Sequence, residues 1–153
     1  MIPNLAVTGA LSAIGFVGAW LDVRYRRLPN WLASIVAVCG LIIAALNSFP
    51  LEFVGHLAHG ALALIVGMIL FRFGIVGGGD AKFYAALALW FRLGEAWRLL
   101  GCVSLAGAAC FIIWFAWRRL RAKPISRIGE GVDGKFPYGV AIAAGAVVAN
   151  LTI

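Results

Sequence analysis

Two aspartates stand out in this apolar chain because each lies beside the predicted edge of a membrane span. Asp22 begins a basic segment that ends in Leu-Pro-Asn at 28–30, and Asp80 closes the glycine run 77–79. An ionisable side chain at bilayer depth is costly unless it is paired or hydrated, so it is usually functional. Two carboxyls brought close together cannot both ionise cheaply, so they share a proton. The sequence therefore predicts a functional carboxylate pair.

The composition places this pair in a membrane protein. Hydrophobic residues make up 63% of the 153 residues and charged residues 12%, and the mean hydropathy is +0.99. A helical crossing takes roughly 17–25 residues. The predicted fold is all-α, a single polytopic domain over residues 1–153 built as a bundle of six transmembrane helices. The predicted spans lie near residues 4–21, 30–48, 53–71, 78–93, 97–117 and 137–153.

The basic residues predict the orientation of the bundle. No basic segment precedes the first apolar stretch, which is therefore interpreted as a retained span and not as a signal peptide. Six spans put loops 22–30, 72–82 and 118–136 on one side, and only Arg92 and Arg98 of the 13 basic residues fall on the other. The positive-inside rule then places those loops in the cytoplasm and the N-terminus outside. Orientation and anionic lipids explain the net charge of +7, and no nucleic-acid partner is expected.

Each aspartate also has a purely structural interpretation. Asp80 can be the N-cap of the fourth helix, accepting from the amide of Lys82 or Phe83 after a glycine turn. Asp22 can pair with Arg26 one helical turn along the chain, or lie at the interface as an ordinary boundary charge. These interpretations stay open beside the functional one.

The glycine run before Asp80 has two possible functional interpretations. A phosphate loop would end in Gly-Lys-Ser/Thr, which this run lacks, and an aspartate at its mouth would repel phosphate. Glycine backbone beside a carboxylate instead suits a site that admits an extended peptide. A helix over 78–93 would rise only ~24 Å, less than the ~30 Å hydrocarbon core. The glycine segment and Asp80 are therefore predicted to be drawn into the bilayer boundary, where non-helical backbone is stable only against protein or a water-filled cavity.

Three motifs of the chain resemble those of the type IV prepilin peptidases, a family of GxGD aspartic proteases. The first is Asp22 with Arg24 and the Leu-Pro-Asn that opens the second helix. The second is Gly-Gly-Gly-Asp-Ala-Lys at 77–82, and the third is Phe-Pro-Tyr-Gly-Val-Ala-Ile-Ala-Ala-Gly at 136–145. The motifs keep the family's order and spacing over essentially the whole chain. Within the family, the chain looks like the small Tad/Flp-pilus type.

The resemblance implies an intramembrane endopeptidase of the bacterial inner membrane that removes the basic leader of prepilins or pseudopilins at the cytoplasmic face. Asp22 and Asp80 match the family's catalytic aspartates, and the run Gly77, Gly78 and Gly79 matches its glycine motif. The ionised carboxyl would take a proton from a water that attacks the scissile carbonyl, while the protonated carboxyl would hydrogen-bond to the carbonyl oxygen. Which aspartate has which role is left open. Expected partners are the prepilin helix, membrane lipids and pilus-assembly or secretion machinery.

Arg24 and Lys82 lie close in sequence to the two aspartates and have two interpretations. They can be ordinary orientation charges. Alternatively, one of them fixes the geometry of the pair or binds the acidic residue near the mature N-terminus of prepilins. Both interpretations stay open.

No cofactor and no metal are expected. Larger prepilin peptidases often carry an insert with Cys-x-x-Cys motifs that is associated with N-methylation, whereas only a short basic turn precedes the second helix here. Cys39, Cys102 and Cys110 form no such motif, which predicts buried, reduced packing residues, no zinc and no methyltransferase activity. His56 and His59, at the outer start of the third helix, lack a third metal ligand and are expected in the wet interface.

Two other classes of protein fit a carboxylate pair in a membrane. A small transporter or a secretion-complex subunit can use such aspartates to conduct protons or to bind a partner helix. Transporters usually contain an internal repeat, and none is evident between residues 1–76 and 77–153. Within the peptidases, a preflagellin or presenilin-like enzyme is an alternative, although the Phe-Pro-Tyr-Gly segment favours the prepilin type.

Overall fold

The computed structural model describes residues 5–25, 28–120 and 138–152. Throughout these ranges the regular structure is helical and no strand occurs, which confirms the all-α prediction. Most of the predicted loop 118–136, and Arg26, lie outside the described residues. The α-helices are α1 (Leu5–Tyr25), α2 (Asn30–Asn47), α3 (Pro50–Arg72), α4 (Gly78–Ala88), α5 (Ala96–Leu120) and α6 (Tyr138–Leu151), with a 3₁₀ turn at Leu93–Glu95 before α5.

Within the described ranges, four helices are long and apolar enough to cross a membrane. The helices α4 and α6 have 11 and 14 residues. At 1.5 Å per residue they rise about 16 and 21 Å, less than the ~30 Å hydrocarbon core. The count of six spans and the outside N-terminus therefore stay predictions. The four candidate spans are Ala6–Tyr25, Asn30–Asn47, Pro50–Arg72 and Leu93–Trp117.

The short helix α4 lies at the centre of the bundle. It packs against α2, α3 and α6, and the side chains of Phe83 and Leu87 are fully inaccessible. Neighbouring helices approach it closely because they present glycine: a Cβ added to Gly18 on α1 would lie 2.7 Å from the Phe83 ring. In lipid, helices associate through such close packing of small residues.

The helix α4 ends at Ala88 and does not continue to residue 93 as predicted. The carbonyls that follow this end lie beside α3, where His56 and His59 contact them. The Nδ1–H of His56 donates to the Leu89 carbonyl and that of His59 donates to the Phe91 carbonyl, both at 3.0 Å. Backbone carbonyls at a helix end need such partners because no further turn supplies them. Side chains of α3 therefore stabilise the end of α4.

The two histidines do not lie in a wet interface, and that prediction was wrong. The side chains of His56 and His59 are only 7% and 3% exposed. Their position at the start of α3 indicated an interfacial location, but the carbonyls that they bind come from a segment more than thirty residues away. No local sequence pattern reports that contact.

Hydrogen bonds at both ends of α6 fix its direction against α1. The Gly139 amide contacts Asp22 at one end, and Asn150 Nδ2 donates to Thr8 Oγ1 at 2.8 Å at the other. The two helices are therefore antiparallel, and the bundle has two distinct ends. We call the end formed by Asp22, 28–30, 77–82 and Gly139 the aspartate end. The end formed by Ser48, Glu52, His56, His59 and 89–95 is called the histidine end.

Candidate active site

Asp22 and Asp80 lie together at the aspartate end. Asp22 is in the last turn of α1, which continues past its predicted end at residue 21, and its side chain is 6% exposed. Asp80 is in the first turn of α4 and is half-buried. The two carboxylates are close enough to interact electrostatically. The fold therefore brings the two sequence-predicted carboxylates into one site.

Leu28 links the two aspartates. A Cβ added to Gly139 would lie 3.0 Å from Leu28 Cδ1 and 3.0 Å from Asp22 Oδ2, so the Leu28 side chain lies beside Asp22. A Cβ added to Gly79 would lie 3.2 Å from the Leu28 carbonyl oxygen, so the Leu28 backbone lies against the residue that precedes Asp80. The Leu-Pro-Asn segment thus packs between both halves of the site.

The glycine run adopts a different conformation from the predicted one. Gly77 is the N-cap of α4, with an extended backbone, and Gly78 and Gly79 already belong to the helix. Asp80 is therefore the third residue of α4, and its interpretation as an N-cap was wrong. Gly78 and Gly79 are helical, as the predicted start of the fourth span at residue 78 requires, and they do not form a turn before Asp80.

These glycines are needed because other groups approach them closely. A Cβ on Gly77 would lie 2.6 Å from Asp80 Oδ2, and Gly79 faces the Leu28 backbone as described above. Among the described glycines only Gly74 has a positive φ, at 71°. The run thus places Asp80 against neighbouring backbone without using the left-handed conformations open to glycine. A carboxylate in the first helical turn also interacts favourably with the N-terminal end of the helix dipole.

Gly139 belongs to the site, although sequence analysis did not identify it as a site residue. Its amide N–H donates to Asp22 Oδ2 at 2.7 Å in a buried contact. Gly139 is part of the third motif, and the signal that could have found it is a glycine at the start of α6. The contact spans 117 positions of the chain, so sequence spacing does not reveal it.

Arg24 and Lys82 both lie at the aspartate end on exposed positions. The guanidinium of Arg24 lies over the ring of Tyr25, 5.9 Å from its centroid. Lys82 Nζ donates to Asn30 Oδ1 at 3.1 Å, which connects α4 to the start of α2. The site is thus bordered by basic side chains, whose predicted roles stay predictions.

The described part of the chain contains no group of three or more His, Cys, Asp or Glu side chains arranged to hold a metal. Cys39, Cys102 and Cys110 are free thiols, and they are partly exposed where full burial was predicted. Cys39 and Cys102 pack against the hydrophobic core from its edge. The chemistry that the site offers is therefore that of two carboxyls, which can exchange protons with water and with a substrate.

Membrane-length helices, with two interacting carboxylates at one end of the bundle, define a polytopic membrane protein with an acidic site. The chain belongs to the type IV leader peptidase family, whose model matches residues 9–149. The match includes Asp22, Asp80 and Gly139, and it makes the protein a membrane peptidase. Neither the curated proteins nor the solved structures that were compared with the chain gave a match.

Proposed function

We propose that the protein is an intramembrane aspartic endopeptidase that removes the leader peptide of type IV prepilins or pseudopilins, with Asp22 and Asp80 as its catalytic pair. The supporting observation is that the two carboxylates lie at the same end of the bundle and interact electrostatically, in a member of the leader peptidase family. Burial of Asp22 and half-burial of Asp80 limit hydration, which strengthens their interaction with each other and with a substrate.

The proposed reaction is hydrolysis by a water molecule held between the two carboxyls. The ionised carboxyl removes a proton from the water as its oxygen attacks the scissile carbonyl. The protonated carboxyl donates a hydrogen bond to the carbonyl oxygen, where negative charge develops. As the tetrahedral intermediate collapses, the carboxyl that took the proton from water gives it to the leaving amine and the peptide bond breaks, which returns the pair to its starting state with one proton. The protons balance, and no covalent enzyme intermediate is needed.

We place the aspartate end at the cytoplasmic face of a bacterial inner membrane, with six spans and the N-terminus outside. The distribution of charge in the described residues supports this orientation. Arg24, Arg72 and Lys82 lie at or near the aspartate end, whereas Arg92 at the histidine end is paired with Glu52 at 2.7 Å. An excess of basic residues on one side is typical of the cytoplasmic side. The basic leader of a prepilin would meet the site from there.

Lys82 is the best placed of the basic residues to bind an acidic group of the substrate. It lies two positions after Asp80 and is exposed. Its Nζ donates a hydrogen bond to the neutral side chain of Asn30. Exchanging charge tests this role: Lys82→Glu should reduce cleavage of a prepilin, and a matching Glu→Lys change near the mature N-terminus should restore it. The same exchange with Arg24→Glu is the matched comparison. If neither exchange restores cleavage, the basic residues act only in orientation.

Cleavage of a co-reconstituted prepilin tests the proposed function. Prepilins of the Tad/Flp type are the first substrates to test. Cleavage by the wild-type protein is compared with cleavage by Asp22→Asn and Asp80→Asn, after each variant is shown to fold. Glu52→Gln at the histidine end is the matched control for loss of a carboxylate. Cleavage by wild type and control, with both aspartate variants inactive, supports the proposal.

Two outcomes would contradict it. Full activity of either folded aspartate variant would remove the pair from the reaction. A wild-type protein that cleaves none of the prepilins offered would favour a transporter, a scaffold subunit or a related peptidase with another substrate. Proposed partners beyond the substrate are membrane lipids and the pilus-assembly or secretion machinery.

A further inference from the structure

The Gly139 amide lies in the first turn of α6, so no carbonyl of that helix accepts its N–H. It donates instead to the buried carboxylate of Asp22. Gly139 is the second residue of α6, and the first four amides of a helix have no carbonyl partner within that helix. The 2.7 Å bond to Asp22 Oδ2 supplies the missing acceptor from a different helix. The start of α6 and the end of α1 are therefore connected at the candidate active site.

The space around Gly139 leaves little room for a side chain. A Cβ there would lie 3.0 Å from Asp22 Cβ, 3.0 Å from Asp22 Oδ2 and 3.0 Å from Leu28 Cδ1. Contacts of this length are tighter than ordinary van der Waals contacts, so either the carboxylate or Leu28 would have to move. By comparison, a Cβ on Gly107, which also faces α6, would lie 3.8 Å from Ala141 Cβ, an ordinary contact.

We propose that Gly139 is a positioning residue for Asp22. The Gly139 amide N–H holds the Asp22 carboxylate in the orientation that catalysis requires. This inference rests on the proposed function and extends it to a residue outside the aspartate pair. The bond from Asn150 to Thr8 connects the same two helices at the opposite end, so α6 is held against α1 at both ends. A backbone donor on a helix fixed in this way reorients little, which suits a group that must keep a catalytic side chain in place.

The competing interpretation is that Asp22 only caps α6 and that the bond matters for folding. The variant Gly139→Ala separates the two interpretations when its kinetics are measured with a co-reconstituted prepilin beside Gly107→Ala. A misplaced catalytic group costs on the order of 100-fold in rate. We expect a loss of that size in kcat with KM unchanged for Gly139→Ala, because the substrate still binds. We expect wild-type kinetics for Gly107→Ala.

A double-mutant cycle with Leu28→Ala shows which neighbour transmits the effect. If displacement of Asp22 causes the loss, Gly139→Ala lowers kcat equally in the wild-type and Leu28→Ala backgrounds. If the loss disappears in the Leu28→Ala background, the effect is packing against Leu28, and the positioning role is wrong.

A second measurement does not depend on the folding of Gly139→Ala. Tyr-Gly occurs once in the sequence, at 138–139, so ¹³C-carbonyl tyrosine with ¹⁵N-glycine selects the Gly139 amide alone in an NMR spectrum. We expect its proton resonance downfield in wild type, as for an amide bonded to a carboxylate, and a clear upfield shift in Asp22→Ala. An unchanged resonance in Asp22→Ala would overturn the proposal.

The proposed peptidase function and the positioning role of Gly139 are contradicted by different results. A wild-type protein that cleaves no prepilin contradicts the proposed function, whatever the NMR result. A wild-type protein that cleaves, together with a folded Gly139→Ala variant of unchanged kcat, contradicts only the positioning role of Gly139.

Discussion

The histidine end and the aspartate end both contain buried polar side chains, but they use them differently. At the histidine end, His56, His59 and Trp90 each bond through a ring N–H to a backbone carbonyl at 3.0 Å. The two histidine bonds satisfy acceptors in the segment that follows α4, and the Trp90 bond connects this segment to α2. A buried acceptor left without a donor would be costly. Polar groups at this end stabilise the fold.

At the aspartate end, two groups of the same charge lie close together. Asp22 and Asp80 interact electrostatically, and holding two like charges close together costs energy. Gly77 lies beside Asp80 and Gly139 lies beside Asp22, so backbone segments approach the carboxylates directly. An arrangement that does not favour stability is typical of a functional site, where activity limits how stable the structure can be. The comparison predicts that substitutions at the two ends affect different properties.

The largest expected effect is on activity at the aspartate end. Asp80→Asn should reduce cleavage on the order of 10² to 10⁴-fold, the range for loss of a general acid or base. Its unfolding temperature should stay the same or rise, because Asn has nearly the shape of Asp and the folded protein no longer has to hold two carboxyls together. Kinetics and thermal unfolding in the same detergent check this prediction. A marked loss of stability in Asp80→Asn would mean that the two ends do not differ as described.

The next effect is on stability at the histidine end. His59→Leu should lower the free energy of unfolding by about 1–3 kcal/mol, because the buried Phe91 carbonyl loses its donor. His59→Asn is the matched control, since its amide nitrogen occupies nearly the position of Nδ1 and should preserve much of the stability. Cleavage by folded His59→Leu should equal that of wild type. A loss of activity larger than the loss of folded protein would connect the histidine end to catalysis.

A smaller effect is expected from the indole of Trp90. Trp90→Phe keeps an aromatic ring in the core but removes the Nε1–H that donates to the Val36 carbonyl at 3.0 Å. We expect a loss of about 1 kcal/mol in unfolding free energy, the usual contribution of one hydrogen bond. Denaturant unfolding of the variant beside Leu87→Met, which changes packing alone, measures the difference. Equal stability of Trp90→Phe and wild type would show that this bond does not stabilise the break after α4.

The smallest effect concerns the half-exposed ion pair between Glu52 and Arg92. Their side chains are 39% and 42% exposed, and such pairs contribute about 0.2–1 kcal/mol. Glu52→Gln should therefore change the unfolding free energy by less than ~1 kcal/mol, and added salt should reduce the difference from wild type further. An effect larger than that of His59→Leu would reverse the order that the comparison predicts.

Local signals predicted several helix starts well. The predicted starts at residues 30 and 78 agree with α2 and α4, since proline at 29 is extended and the glycine run interrupts the apolar pattern. The helix α3 begins at Pro50, earlier than the predicted residue 53, because proline is well suited to a first helical position. Composition and charge clusters were sufficient for these features, which depend on neighbouring residues.

Features that depend on distant residues were not predictable in the same way. The sequence after Ala88 is as apolar as the helix before it, so nothing local indicated that α4 would end there. The reason lies in His56 and His59, whose carbonyl contacts come from the tertiary fold. Gly139 was missed for the same reason. The aspartates themselves were identifiable because charged residues are rare in an apolar chain, whereas their environment depends on how six helices pack.

The measurement that tests the central claim most directly is the cleavage rate of Asp22→Asn, Asp80→Asn and the double variant on one prepilin. Residues that act as one catalytic unit are strongly non-additive. If Asp22 and Asp80 share a proton and a water, either single change should abolish the step, and the double variant should retain the same residual rate as each single variant. A double variant whose loss equals the product of the two single losses would contradict a shared reaction and make the two carboxylates independent.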